Sequence, residues 1–209
     1  ARITAIWGAD RRALGEGFRL HCVFGIEAGH AWVSLDLPAE APCYPDLADV
    51  FTAANRMQRA TRDMVGIANA GGDQRPWLRH GGWPADWYPL RHDAGDPPEF
   101  ANRPTDYDFV KVGGEGAHEI PVGPIHAGII EPGHFRFSVV GERVLRLEQR
   151  LGYQHKGVEK LFIGADIARG AQLVGRVSGD SACAYAWAYA DAVEAACGAA
   201  APPRGLALR

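Results

Sequence analysis

The chain has 209 residues, 47% of them hydrophobic and 22% charged, with a formal net charge of −3. That composition describes a folded globular chain, not a disordered one. The small net charge gives no electrostatic basis for nucleic-acid binding or for attraction to an anionic membrane surface.

In chain order, residues 2–7 alternate weakly. Residues 18–25 and 30–37 read as two strands joined by a turn at Glu27-Ala28-Gly29. Leu47, Val50, Phe51, Ala54, Met57 and Met64 recur at helical spacing, which predicts a helix over 44–64 starting near Pro45 or Asp46. Together these make a small sheet-plus-helix module. From Gly71 to Pro104 the chain is dominated by glycine, proline and tryptophan: Pro76, Trp77, Trp83, Pro84, Trp87, Pro89, Pro97, Pro98 and Pro104. Such a stretch is neither a regular helix nor a central strand. It is expected to be an extended arm laid over another surface, one that needs a partner to cover its tryptophans.

A third part begins near Thr105. Phe135, Phe137 and Val139 alternate with polar residues, as do Leu145 and Leu147 after Gly141-Glu142, which predicts a hairpin over 135–148. Helices are expected over 155–163, 166–174 and 180–196. The last is alanine-rich, with Tyr185, Tyr189, Val193 and Ala196 on a narrow stripe suited to close helix packing. The tail 199–209 contains Pro202-Pro203 and reads as irregular. The fold class is therefore α+β, divided into 1–104 and 105–209.

Cys22, Cys43, Cys183 and Cys197 form no C-x-x-C pair and match no zinc or disulfide framework, so they are expected to be reduced and mostly buried. The longest apolar run, 182–190, is bracketed by Asp180 and Asp191. It falls short of the roughly 20 residues needed to cross a bilayer, so membrane association is expected to run through partners. Gly113-Gly114-Glu115-Gly116 is too short for a dinucleotide fingerprint and is followed by Pro121. No nucleophile–base arrangement or phosphate loop supports an independent small enzyme.

Two stretches resemble a known family. Residues 55–67 (NRMQRATRDMVGI), then Gly71-Gly72, Arg75-Pro76, Leu78-Arg79, Trp83-Pro84 and Pro89-Leu90-Arg91-His92-Asp93, resemble the small peripheral, 30-kDa-type subunit of respiratory complex I, with Asn55 where a glutamate is usual. Residues 118–137 (HEIPVGPIHAGIIEPGHFRF), 150–161 (RLGYQHKGVEKL) and 175–194 (GRVSGDSACAYAWAYADAVE) are similar to the start of the large subunit of group-4 [NiFe] hydrogenases and of its complex I paralogue, the 49-kDa-type subunit. The same two parts are fused in the large subunit of formate hydrogenlyase. The resemblance implies that the second part is only the opening of a hydrogenase-like helical bundle, with its last helix poorly covered or paired with a second copy.

The resemblance also carries site residues. Where active enzymes have R-x-C-G-x-C, this sequence has Arg176-Val177-Ser178-Gly179-Asp180-Ser181, so Ser178 and Ser181 occupy the positions of two nickel-ligand cysteines. A hydroxyl is a hard, weakly acidic group, whereas the metal selects soft thiolates. No metal is therefore expected in this span, and Ser178 is expected to cap the last helix. Glu131 takes the place of the proton-transferring glutamate, a role that requires burial. His126 matches the first histidine of the complex I quinone loop, and Ile130 falls on the second. His126 and Glu131 are thus the catalytic candidates. His134, His155 and Glu159 are candidates for a quinone or proton path, with His155 and Glu159 expected on one helix face.

The implied function is a subunit of an NADH:quinone-oxidoreductase-like or group-4 hydrogenase-related complex, inactive alone. It would sit on the cytoplasmic side of the inner membrane with iron–sulfur and antiporter-like membrane subunits as partners. No cofactor is expected in this chain. The iron–sulfur cluster would lie in a neighbour, and NADH or quinone would act only at the level of the complex. A catalytically silent scaffold is the alternative, and a homo-oligomer is expected of the isolated chain.

Overall fold

The computed structural model describes residues 1–79, 83–99 and 108–208. Sheets and helices are both present, so the chain is α+β, and it divides into two compact units, Ala1–Gly113 and Gly114–Arg209. The boundary expected at 104/105 lies outside the described residues, as do Pro104 and the parts of the expected arm at 80–82 and 100–104.

In the first unit, β1 (Arg2–Asp10), β2 (Phe18–Ile26) and β3 (Gly29–Leu37) form an antiparallel sheet in that order. α1 (Ala54–Val65) packs against β1. Ala54, Gln58, Thr61 and Val65 recur at helical spacing and are its buried face. Ala54 and Val65 join Ile6, Phe18, Leu20 and Ile67 in the core. The approach is close at Gly8, where a Cβ would lie 2.6 Å from side-chain atoms of Val65 and Ile67.

The helix begins ten residues later than the spacing predicts. Residues 44–53 instead carry β4 (Cys43–Pro45), which pairs in parallel with β5 (Ala68–Ala70). Buried polar groups fix this course. Asp46 accepts hydrogen bonds from Gln58 Nε2 at 2.6 Å and Asn69 Nδ2 at 3.1 Å, while Gln58 Oε1 accepts from the Leu47 amide at 2.9 Å. Burial opposes ionisation of Asp46, but these donors outweigh it and lower its pKa.

The described part of the proline/tryptophan segment lies on α1 of its own unit. Asp63 is fully buried, and its Oδ2 accepts from the backbone amides of Trp77, Leu78 and Arg79 at 2.7, 2.8 and 3.2 Å. The Leu90 amide donates to the Met64 carbonyl at 3.0 Å and Arg91 Nε to the Val65 carbonyl at 2.8 Å. Carbonyls at a helix C-terminus have no partner within the helix, and here the segment supplies one.

In the second unit, β6 (Ala117–Val122), β7 (His134–Val140) and β8 (Arg143–Arg150) form an antiparallel sheet in that order, with an irregularity at Ser138/Val139. Then come α2 (Val158–Phe162), α3 (Ile167–Val174), a 3-10 turn (Gly179–Ser181), α4 (Ala182–Cys197) and α5 (Pro203–Leu208). Asp166 caps α3 by accepting from the Arg169 amide at 2.7 Å. Tyr189 of α4 donates to the Ile167 carbonyl at 2.9 Å, over Gly170, where a Cβ would stand 2.2 Å from the tyrosine oxygen. No residue of α4 is buried. Two sequence expectations are corrected. The tail is helical at α5, Cys22 is the one buried cysteine, and Cys43, Cys183 and Cys197 are exposed. No helix among the described residues is long and apolar enough to cross a membrane.

Candidate functional site

The loop between β6 and β7, residues 123–133, carries two of the candidates, and its two ends are pinned together. Gly123 has φ 75°, and a Cβ there would lie 2.0 Å from the Gly133 carbonyl oxygen, so only glycine permits the approach. His134, the first residue of β7, bonds through Nδ1–H to the Gly123 carbonyl at 3.0 Å. His134 therefore closes the loop. Between these ends the loop exposes Ile125 and Ile129 almost completely, at 95% and 97%.

His126 sits inside this loop. Its Nδ1 accepts the Gly128 amide at 3.1 Å. In the neutral ring the proton must then be on Nε2, which is buried and has no hydrogen-bond partner among the described residues. A buried donor left unpaired costs free energy that an incoming acceptor would recover. The loop backbone thus fixes the ring, and its enclosed Nε2–H comes within reach of an acceptor only if the loop shifts.

Glu131 is exposed and lies 3.8 Å from Lys156 Nζ, a solvent-screened pair. The burial expected of a proton relay is not provided by the described residues. His155 and Glu159 do not share a helix face. Gly157 has φ 60° and interrupts the backbone, so α2 starts only at Val158. His155 lies in the preceding turn with its amide donating to the Gly152 carbonyl at 3.0 Å, and Glu159 is in the first turn of α2. Both are exposed.

Ser178 is extended, with φ −148° and ψ 131°, and precedes the 3-10 turn that leads into α4. Ser178 and Ser181 both stand at cap positions, yet neither side chain makes a capping hydrogen bond. The expected cap is thus absent. The donor set does not fit nickel: two hydroxyls replace the thiolates, and Cys183 is an exposed residue in the first turn of α4.

Sequence reasoning missed a cluster in the first unit. Asp10, at the end of β1, accepts from Arg12 Nε at 2.9 Å, from Arg12 Nη2 at 2.8 Å, from the His92 amide at 3.1 Å and from His92 Nδ1 at 2.8 Å. Arg12 also reaches Asp93 at 2.7 Å. Burial works against the Asp10 charge, but the Arg12 and His92 donors prevail and hold its carboxyl well below the usual range. The local signal was Asp10-Arg11-Arg12, with His92-Asp93 far along the chain. Asp10, His92 and Asp93 also have metal-ligand atoms within 4.8 Å of one another, but the Arg12 guanidinium already supplies the cation.

Residues 1–98 match the family model described as "Respiratory-chain NADH dehydrogenase, 30 Kd subunit". The chain is 33% identical to formate hydrogenlyase subunit 5 of Escherichia coli K12 over 99% of its own length and 38% of that protein's. It is 34% identical to hydrogenase-4 component G of the same organism, over 99% and 39%. It is 28% identical to an NADH-quinone oxidoreductase subunit of Bacteroides thetaiotaomicron, over 74% and 34%. The chain thus spans about two fifths of the length of the first two relatives.

Proposed function

We propose that the chain serves as an electron-transfer subunit of a membrane-associated complex, without nickel chemistry in this span: residues 1–98 belong to the 30 kDa subunit family of the respiratory-chain NADH dehydrogenase, and the relatives matched are hydrogenase and NADH-quinone oxidoreductase subunits. The Ser178 and Ser181 hydroxyls support the exclusion of nickel, because they cannot supply the thiolates that the metal requires. The partners would be an iron–sulfur subunit and antiporter-like membrane subunits, on the cytoplasmic side of the membrane. Electrons would arrive from the neighbour's cluster, and NADH or quinone would act only in the assembled complex.

The observation that carries the reading is the His126 ring, oriented by Gly128, whose buried Nε2–H has no partner among the described residues and would be uncovered by a shift of the loop. A carbonyl acceptor such as a quinone headgroup would complete it, and the ring would steer the acceptor and supply a proton as electrons arrive. His134 acts by closing the loop. Glu131, His155 and Glu159 would form the proton path once a neighbouring subunit buries them.

The test is purification of the full-length complex through a tag on this chain. An iron–sulfur subunit is expected to co-purify, with no nickel bound by this chain. His126→Phe is expected to leave the make-up of the complex intact while lowering quinone reduction at least about tenfold, the usual scale for a lost donor to the reacting group. Unchanged electron transfer in that variant favours the second reading, a silent scaffold. Stoichiometric nickel on this chain, or hydrogen turnover requiring it, overturns both.

A further inference from the structure

Among the described residues β3 pairs with β2 alone, so its other side is an open edge of nine residues. Native edge strands are usually guarded by lysine, proline, a bulge or short length. Gly29–Leu37 contains no lysine or proline, and its register against β2 is unbroken. The opposite edge, β1, carries an irregularity between Ile3 and Ala5 and has α1 against it.

The edge also exposes large apolar side chains on both faces. Val33 and Leu35 pair with the buried Cys22 and Leu20, which places them on the helix side of the sheet, yet they remain 51% and 45% exposed because α1 lies over β1. Trp32, on the other side, is 64% exposed. It stands edge-on to Trp7 and donates from Nε1 to His21 Nδ1 at 3.2 Å, which fixes its ring.

The strand is complementary to itself. Antiparallel alignment about Val33 overlaps the whole of β3. Gly29 falls opposite Leu37 of a second copy, His30 opposite Asp36, Ala31 opposite Leu35 and Trp32 opposite Ser34. Each facing pair lies on one side of the sheet, as the two-residue period requires. His30 and Asp36 are both exposed; Asp36 pairs with Arg19 of its own sheet at 2.5 Å, and the two-fold sets a histidine beside that carboxylate twice, with no like charges facing. Val33 meets its own copy on the axis, and the two Trp32 rings become diagonal neighbours.

We propose that β3 is a self-association edge through which two copies of the chain pair antiparallel about Val33 and join their sheets into one. This inference is independent of the electron-transfer reading.

The test is light scattering on the full chain across a range of concentrations. A reversible species of twice the chain mass is expected. Val33→Lys, which sets two lysines together on the axis, is expected to give a monomer with unchanged circular dichroism. His30→Asp is expected to weaken the dimer about tenfold by facing Asp36 with a like charge, and His30→Asp with Asp36→His to restore it. With Cys22 replaced by alanine, because it faces Val33 across the sheet, and Cys43, Cys183 and Cys197 by serine, Val33→Cys is expected to form a disulfide-linked dimer on oxidation, and Val50→Cys, also exposed, to form none. A monomer at every concentration overturns the proposal. So does a dimer that survives Val33→Lys, or a Val33→Cys chain that does not cross-link.

Discussion

His92 Nδ1 lies 2.8 Å from Asp10 Oδ2, a bond between residues 82 positions apart that fastens the end of the proline/tryptophan segment to the end of β1. The Asp10 side chain is 2% exposed and the Arg12 side chain 22%, so the pair is shielded more than a surface ion pair is.

Asp10→Ala is expected to destabilise the first unit by about 1–3 kcal/mol, because it removes the acceptor shared by Arg12, which keeps only Asp93, and His92. Urea unfolding followed by tryptophan fluorescence measures it. The pH dependence has a definite sign. The Asp10 pKa is lower in the folded than in the unfolded chain. Its stabilisation is therefore complete above the unfolded value near 3.9 and is lost as pH falls through the folded one. The gap between wild type and Asp10→Ala should be constant from neutral pH down to about 5 and shrink below about 4. A gap that widens on acidification would contradict this assignment.

Asp63 is expected to matter as much. Asp63→Ala removes the acceptor of three amides in a fully buried place, with an expected loss of about 3–5 kcal/mol. Hydrogen exchange gives a local readout: the amides of Trp77, Leu78 and Arg79 should lose protection together.

Gly170→Ala should push α4 from α3, since the new methyl would collide with the Tyr189 oxygen. A loss of about 1–3 kcal/mol is expected. Tyr189→Phe removes the obstructing oxygen and also the bond to Ile167, at a cost of about 1 kcal/mol. The double variant should therefore be more stable than the sum of the two singles predicts, and simple additivity would argue against the contact.

Placing sulfur at Ser178 and Ser181 should show in metal affinity. Ser178→Cys with Ser181→Cys creates a C-x-x-C pair, and competition against a chelator should give at least about tenfold tighter binding of Zn²⁺ than the unaltered chain. Equal affinity would mean that this backbone cannot converge two ligands on one ion.

The strands at β2 and β3 were legible because alternation is a local signal. The start of α1 was not, because Asp46, Gln58 and Asn69 decide it through bonds between distant residues. β6 was hidden by Pro121, which an edge strand tolerates. The expected helix over 155–163 was shortened by the positive φ of Gly157, which a spacing argument does not register. In the candidate site, residue types could be named from the sequence. Which His126 nitrogen carries the proton depends on the Gly128 amide, and that contact is a matter of loop geometry.

Three successive residues at the end of α1 hold the arm in different ways: Asp63 by its carboxylate, Met64 and Val65 by their carbonyls. Opening any one of these bonds exposes a group that the helix cannot pair for itself. The arm and the last turn of the helix should therefore melt as a single cooperative piece, with one shared opening free energy read out by their amides.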